Sequence, residues 1–440
     1  MTTVEIKDVS WTERPVTMRL PFQFGSTEVR STAEAYCTLR IEVAGKSVEG
    51  KSAQLMVPRW FDKRQGLSNS DTIEELRATV AAAVKAAPGM RGTALELTRQ
   101  LRAQVLADMP VGTPELAAGF GPALVEMALI DAICVAVELP FWRAAKADVF
   151  GLSAGRPASL TEAEISHSLG MIEAPQSLRL RHTIGFDAPL RTEDVGEDGP
   201  KDGLPVSVEE IIARTGINAL KIKLKGDPEA DLRRLRAIAA LTDSVPDCTA
   251  TLDANEQYST DAFAELMDGL EHDAALKRLR FGLRFVEQPF PRETALNAPV
   301  SGPTPLIIDE SDDSEDAFER ALSLGWSGSS IKSCKGVLRA LLNTALARAK
   351  GAVISGEDLT CQPGLCWQQD SAMMSACGVT DVERNGHHFA GGFQGAGSDE
   401  IAERMRVHQG IYAMTGDVAS LRIEAGRVDV RSLDSVGFGR

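Results

Sequence analysis

Five short stretches carry residues that could do chemistry together: Lys221-Ile222-Lys223, Asp253-Ala254-Asn255, Glu287-Gln288-Pro289, Asp309-Glu310-Ser311 and Ile331-Lys332-Ser333. Each ends or follows a short apolar run. Asp253, Glu287 and Asp309 stand 34 and 22 residues apart, one strand-plus-helix step each, so a repeated β/α fold would gather the three carboxylates. Clustered carboxylates repel unless a cation sits among them, and all-oxygen ligation selects a hard ion such as Mg²⁺. Strand side chains alternate, so Lys221 and Lys223 share one face while Ile222 takes the other. Lys332 comes from four strands further round, across the mouth of a barrel. A lysine on each side of a metal is a two-base arrangement, and a partly desolvated lysine near a cation and other lysines has its pKa pushed down. The chemistry implied is abstraction of a proton next to a carboxylate, with the metal holding the enediolate that forms. Singly, these residues have plainer readings. A bare Lys-x-Lys is usually a solvated strand end, and Asp309 could equally cap a helix beginning near Asp312. Glu287 before Gln-Pro has no such alternative, and the three acids together carry the argument.

Such a constellation needs strands that stop side by side. From about residue 176 the sequence alternates short apolar runs with amphipathic windows, the texture of β/α units around a parallel sheet. Eight runs read as strands: Leu178–Phe186, Ala219–Leu224, Cys248–Leu252, Leu283–Val286, Leu306–Ile308, Ser329–Ile331, Ala352–Ser355 and Thr380–Glu383. The windows between them carry helix signals. Ser207 and Glu210 form a capping box closed by Gly216, Asp227-Pro228 gives an N-cap followed by proline, and Phe263, Leu266, Met267 and Leu270 share one helical face. Eight units in a row fit a closed (β/α) barrel better than an open sheet. The division expected is an N-terminal α+β domain with entry helices over 1–150, a barrel over 151–415 and a C-terminal segment over 416–440. Val16–Phe24 and Tyr36–Val48 read as strands of the first domain. Val418–Arg431 reads as two strands about Gly426 that pack back on it. The inserts Ala158–Gln176 and Asp187–Pro205 read as mobile loops, the second being rich in Gly, Pro, Asp and Glu.

Composition narrows the partners. The 440 residues are 43% hydrophobic and 25% charged, an ordinary globular balance. The net charge of −15 repels phosphate backbones and anionic lipid, so neither nucleic acid nor a membrane is expected as a partner. The apolar stretch Ala123–Trp142 is interrupted by Glu126, Asp131 and Glu138 and reads as a buried helix. Seven scattered cysteines with no Cys-x-x-Cys pair, and an N-terminus without a basic start or apolar run, point to a reducing cytoplasmic setting.

Taken in order on eight β/α units, these motifs resemble the enolase superfamily, and more narrowly its muconate lactonizing enzyme subgroup within the mandelate racemase/muconate lactonizing enzyme family. The approach to the barrel, with Ala128, Asp131, Pro140 and Phe150-Gly151, is similar to that family's entry helix. The resemblance covers most of the chain apart from the two inserts. It implies an enolase-type barrel under a capping domain, with Asp253, Glu287 and Asp309 binding Mg²⁺. Lys223 and Lys332 would then be acid/base groups on opposite faces of a small-molecule carboxylate, and Lys221 would help neutralise the enolate. It further implies a homo-oligomer, and cap loops near Leu20–Arg30 and Glu49–Lys63 that set specificity. Arg59 is a candidate substrate contact there; Trp60 and Phe61 are candidates for which ordinary packing serves as well.

The chain also departs from the family pattern. Lys335 is followed by Gly336-Val337 instead of a glycine pair. Gly356-Glu357-Asp358 stands where mandelate racemase relatives carry a histidine base, which makes Glu357 a candidate substrate contact. Asp381-Val382-Glu383 resembles the Asp-x-Asp with which dipeptide epimerases hold a substrate amine, so both acids are candidates as well. His387-His388 could ligate a metal, but beside Asn385-Gly386 they read as a polar loop. The function expected is a Mg²⁺-dependent racemase or epimerase acting on an amino-acid derivative, dipeptide or related acid. The alternatives are cycloisomerisation or β-elimination, as in o-succinylbenzoate synthase, on the same site, and a barrel that binds a carboxylate without turning it over.

Overall fold

The computed structural model describes residues 1–25 and 27–439. Its first unit is an antiparallel sheet of β1 (Val4–Phe24), β2 (Thr27–Val43), β3 (Lys46–Leu55) and the short β4 (Arg91–Gly92), in the order β3-β2-β1-β4. The stretch read as Tyr36–Val48 is therefore two strands. Ala44 and Gly45, both at positive φ, reverse the chain there. Between Thr17 and Phe22 the register of β1 slips against β2, so residues 18–21 bulge from the sheet. Helices Asn69–Ala86 and Ala94–Asp108 start at capping boxes, Ser68 with Asp71 and Thr93 with Glu96. Helix Phe120–Ala136 is apolar on nearly all sides because it is buried on nearly all sides. It is long and apolar enough to span a membrane once the turn before it is included, but it lies inside the protein as a core helix. Gly50 lets β3 approach it closely: a Cβ at that position would lie 2.1 Å from the carbonyl oxygen of Ala128.

The eight expected strands form a closed parallel barrel: β5 (Ser177–Ile184), β6 (Ala219–Lys223), β7 (Thr249–Asp253), β8 (Leu283–Glu287), β9 (Leu306–Ile308), β10 (Gly328–Ile331), β11 (Val353–Gly356) and β12 (Val382–Glu383). β12 pairs back on β5 to close the ring. The predicted caps are in place. Ser207 and Glu210 open Val208–Thr215, and Gly216 ends it in the left-handed region at φ 70°. Asp227 caps Pro228–Thr242 through the Ala230 amide.

The inserts differ from expectation. Residues 158–176 contain a helix, Glu162–Gly170, started by a Thr161–Glu164 capping box. Residues 187–205 are mostly irregular but anchored. The Arg19 guanidinium, in the β1 bulge, pairs with Asp202 at 2.5 Å and donates to the carbonyls of Leu204, Pro205 and His388. The tail also differs. β13 (Tyr412–Thr415) and β14 (Val418–Leu421) form a hairpin, and β15 (Arg427–Asp429) adds antiparallel to barrel strand β5. The last turn reaches the buried helix, and its Phe438 stacks on Phe141, just beyond that helix, with ring centroids 4.7 Å apart.

Candidate active site

Register sets the first layer of the site. Lys223 on β6 pairs with Asp253 on β7, which pairs with Glu287 on β8, so three charged side chains share one row at the carboxyl ends of adjacent strands. Lys221, one inward position earlier, is 2.9 Å from Asp253, 2.8 Å from Glu287, 2.7 Å from Glu357 and 2.8 Å from Glu383. Lys223 lies 2.5 Å from Asp253 and 2.9 Å from the Asn255 amide oxygen. From across the barrel Lys332 reaches Asp309 at 2.6 Å and Glu357 at 3.0 Å. All of these groups are buried. The lysines and acids of the five motifs thus meet in one contiguous set of ion pairs.

Burial disfavours charge on every member, so the neighbours decide each proton. For Lys221 and Lys332 the surrounding carboxylates outweigh burial and raise both well above the ordinary lysine value. The sequence alone suggested lowered values, which assumed a cation in place of that negative field. Glu357 is held well below the carboxyl range: burial opposes its charge, but Lys221, Lys332 and Arg181 prevail. Asp309 is likewise lowered, by Lys332 and by Lys335, whose ammonium lies 2.9 Å away. Glu287 goes the other way. Burial, then the charges of Asp253 and Glu357, push it well above the usual range, although Lys221, 2.8 Å away, opposes the rise. A buried carboxyl group crowded by other carboxylates suits a divalent cation, and the oxygen-only donor set suits Mg²⁺. Among the described residues, one group of three offers ligand atoms within 4.8 Å of one another: Glu287, Asp309 and Glu357.

The other candidates fall in different places. Glu383 accepts from Lys221, Thr183 and Asn385. Asp381 points toward the amino-terminal end of the barrel, engaged by Arg181 and by Arg284 at the start of β8. Arg59 turns to its own loop, donating to the carbonyl of Arg64. Phe61 packs edge-on against Phe120, whereas the Trp60 ring lies 5.2 Å from the Lys332 ammonium. His387 and His388 are not in a polar loop. They belong to a short buried helix, Gly386–Phe389, and pack with His182 in a three-ring cluster whose burial holds His387 neutral, at about 4.

Residues 204–416 match a family model described as enolase C-terminal domain-like. That part of the chain is thus enolase C-terminal domain-like. Solved structures with the same fold superpose over nearly the whole length of the chain. The L-Ala-D/L-Glu epimerase from Bacillus subtilis, in a substrate-liganded complex, is 18% identical with a TM-score of 0.62, covering 99% of this chain and 98% of that one. The dipeptide epimerase from Methylococcus capsulatus, complexed with Mg and L-Arg-D-Lys, is 19% identical with a TM-score of 0.60 and coverages of 99% and 99%. The muconate lactonizing enzyme from Pseudomonas fluorescens, complexed with muconolactone, is 15% identical with a TM-score of 0.63 and coverages of 99% and 96%. No curated protein matches the chain.

Some residues of this site escaped the motifs. Arg181, inside the barrel on β5, holds Glu357 at 3.0 Å. A clasp joins cap to barrel: Lys63 pairs with Glu256 at 2.5 Å and Glu310 at 2.9 Å, while Arg292 pairs with Glu256 and donates to the Trp60 and Phe61 carbonyls. Arg181 sits in a strand already read as apolar, and the clasp joins residues whose distance along the chain hides their contact. The one available signal was Glu256 and Glu310, each next to a motif.

Proposed function

We propose that this protein is a Mg²⁺-dependent isomerase that removes and returns the α-proton of a carboxylate substrate, in the manner of a racemase or epimerase. The observation that carries this reading is that Lys223 and Lys332, from β6 and from the end of β10, meet one acidic cluster from opposite sides, joined through Asp253, Lys221 and Glu357. When bound, Mg²⁺ would supply positive charge to a substrate carboxylate, and Glu287 and Asp309 would be among the residues holding it. In its neutral form Lys223 Nζ accepts the α-proton as the C–H bond breaks, and the electron pair spreads into the carboxylate. The Lys332 ammonium donates a proton to the opposite face of that carbon. Lys221 holds a fixed positive charge beside the developing negative charge. The Trp60 ring, 5.2 Å from the Lys332 ammonium on a loop the clasp holds, would shield that lysine from water.

Two relatives act on or bind dipeptides, and a dipeptide or amino-acid derivative is one substrate class consistent with the cluster. The engagement of Asp381 by two arginines favours a second reading, an acid without an ammonium group, with cycloisomerisation or β-elimination by the same lysines. A cytoplasmic homo-oligomer is part of the proposal. Its support is the seven free cysteines, six of them buried, and the family.

The test is mass-spectrometric deuterium uptake in D₂O with Mg²⁺, over dipeptides, N-acyl amino acids, hydroxy acids and sugar acids. Mg²⁺-dependent uptake that is lost in Lys223→Ala is expected. Uptake with an inverted centre marks an epimerase, and a ring or alkene product the second reading. Intact Mg²⁺ binding with no exchange across the whole library would count against both.

A further inference from the structure

Among the described residues, burial holds four guanidinium groups below their ordinary value, and three of them have ample partners. Arg284 pairs with Asp381. Arg348 donates to the carbonyls of Ser168 and Cys377 and to the Ser168 hydroxyl, and Arg234 donates to the carbonyls of Gly185 and Ala188. Arg102, on cap helix Ala94–Asp108, is the exception. It makes no ion pair among the described residues and a single hydrogen bond, from Nη1 to the Lys335 carbonyl at 3.1 Å. Burial, then the neighbouring charge of Arg339, lowers it to about 10. A guanidinium is all donor and no acceptor, so most of its N–H groups are left without a protein partner. A desolvated charge with no counter-charge in contact costs free energy, and an anion bound to it would offset that cost.

We propose that Arg102 binds a small oxyanion, a carboxylate or phosphate group, at the seam between cap and barrel. The guanidinium fronts a cleft of about 330 Å³, within the size range of small-molecule sites, which favour such seams. Arg99 and Gly119 line it from the cap, and Ser314 and Glu315, from the loop after β9, line it from the barrel. A second space of about 30 Å³, room for one water or one ligand oxygen, lies against Arg102, Lys335, Arg339 and Glu126. Gly119 fixes how the charge is presented. A Cβ at that position would lie 2.7 Å from Nη2 and 3.0 Å from both Cζ and Nη1 of Arg102. Such nearly equal distances put the glycine over the plane of the group and leave its edges open. Those edges form the fork that meets carboxylates and phosphates with two parallel bonds.

The acids nearby have partners of their own. Glu315 pairs with Arg99 at 2.8 Å, Glu126 accepts from the Leu338 amide at 3.0 Å, and Asp312 faces Lys335 and Arg339. Glu115 stands exposed at the rim, where solvent and salt screen it. An anion on Arg102 would tie the cap helix to the turn after β10. The Lys335 carbonyl receives Arg102, while the Lys335 ammonium reaches the Asp309 carboxylate at 2.9 Å and the Asp309 carbonyl at 2.6 Å. The anion site and the acidic cluster thus meet at opposite ends of one residue.

Calorimetric titration of the full-length, Mg²⁺-free protein tests this without a substrate. Inorganic phosphate and succinate are the probes, each compared with sodium chloride at equal ionic strength. At least one is expected to bind with a Kd of about 1 mM or tighter, and Arg102→Met is expected to weaken it at least tenfold. Arg102→Lys, which keeps the charge but loses the fork, should weaken it at least threefold and serves if the methionine variant fails to fold. Succinate binding alone would support a carboxylate as the ligand, and phosphate binding alone a phosphate. Binding that survives unchanged in the Arg102 variants overturns the proposal and puts the anion elsewhere, among the barrel lysines for instance. Absence of binding by both probes in the unaltered protein overturns it as well.

Discussion

Glu34 shows how one buried carboxyl group ties stability to pH. It stands on β2 of the cap sheet, accepting from the Tyr36 hydroxyl and, at 2.8 Å, from the Gln362 amide, and burial raises it from 4.5 to about 7. Its folded value exceeds its unfolded one, so the stabilisation it gives is complete below about pH 4.5 and is lost as pH rises through 7. Glu34→Gln removes the titration. Against that variant, the native protein is expected to lose up to about 3 kcal/mol between pH 4.5 and 8, read from urea midpoints at each pH; parallel midpoints would refute it. The lysines give a second prediction at this scale. With a substrate found by exchange, Lys332→Ala should abolish deuterium transfer on one face of the α-carbon and Lys223→Ala on the other, each by at least a hundredfold. Equal loss on both faces in both variants would mean that one lysine does all the chemistry.

At the scale of elements, Gly50 is the sharpest case of backbone fit. A methyl group there meets the backbone of the buried helix, which cannot rotate away as a side chain would. Gly50→Ala is expected to cost about 1–3 kcal/mol and to lower the melting temperature seen by circular dichroism; an unchanged melting temperature would show that β3 can shift. Most elements were legible in the sequence. All eight barrel strands were, because buried parallel strands read as short apolar runs between capped helices, and Lys221 with Lys223 faces inward as strand alternation requires. The helix at Glu162–Gly170 was missed although Thr161 and Glu164 spell a capping box. The partner of β15 was not legible either. Its pairing with β5 joins residues 250 positions apart, as in Arg427 with Ser177, and no local pattern records such a choice. The site divides along the same line. Motif residues were found because strand ends announce themselves, while Arg181, Arg292 and Lys63 act through contacts made only when the barrel closes.

For the whole molecule, the clasp of Lys63, Glu256, Glu310 and Arg292 decides whether the cap loop stays on the barrel. Removing one partner of a buried ion-pair network leaves the others uncompensated. Arg292→Ala should therefore speed amide exchange of residues 57–64 at least tenfold while the amides of β6 to β8 keep their protection, as read by hydrogen-exchange mass spectrometry. Uniform loss across both would show that the clasp supports the fold at large and not the loop. The clasp also places Trp60 over Lys332, so the same variant is expected to raise KM more than it lowers kcat once a substrate is known.

The way the cap is held has a consequence for synthesis. The Ala53 amide waits for Gln369, 316 residues later, and Arg14 for Glu400, 386 residues later. At ~5–20 residues per second, about 15 to 60 s separate emergence of the cap sheet from that of the helix that receives Ala53. The cap sheet, made well before its partners, is thus among the last parts to find its place. Throughout that interval its underside is open to chaperones, to proteases and to neighbouring nascent chains.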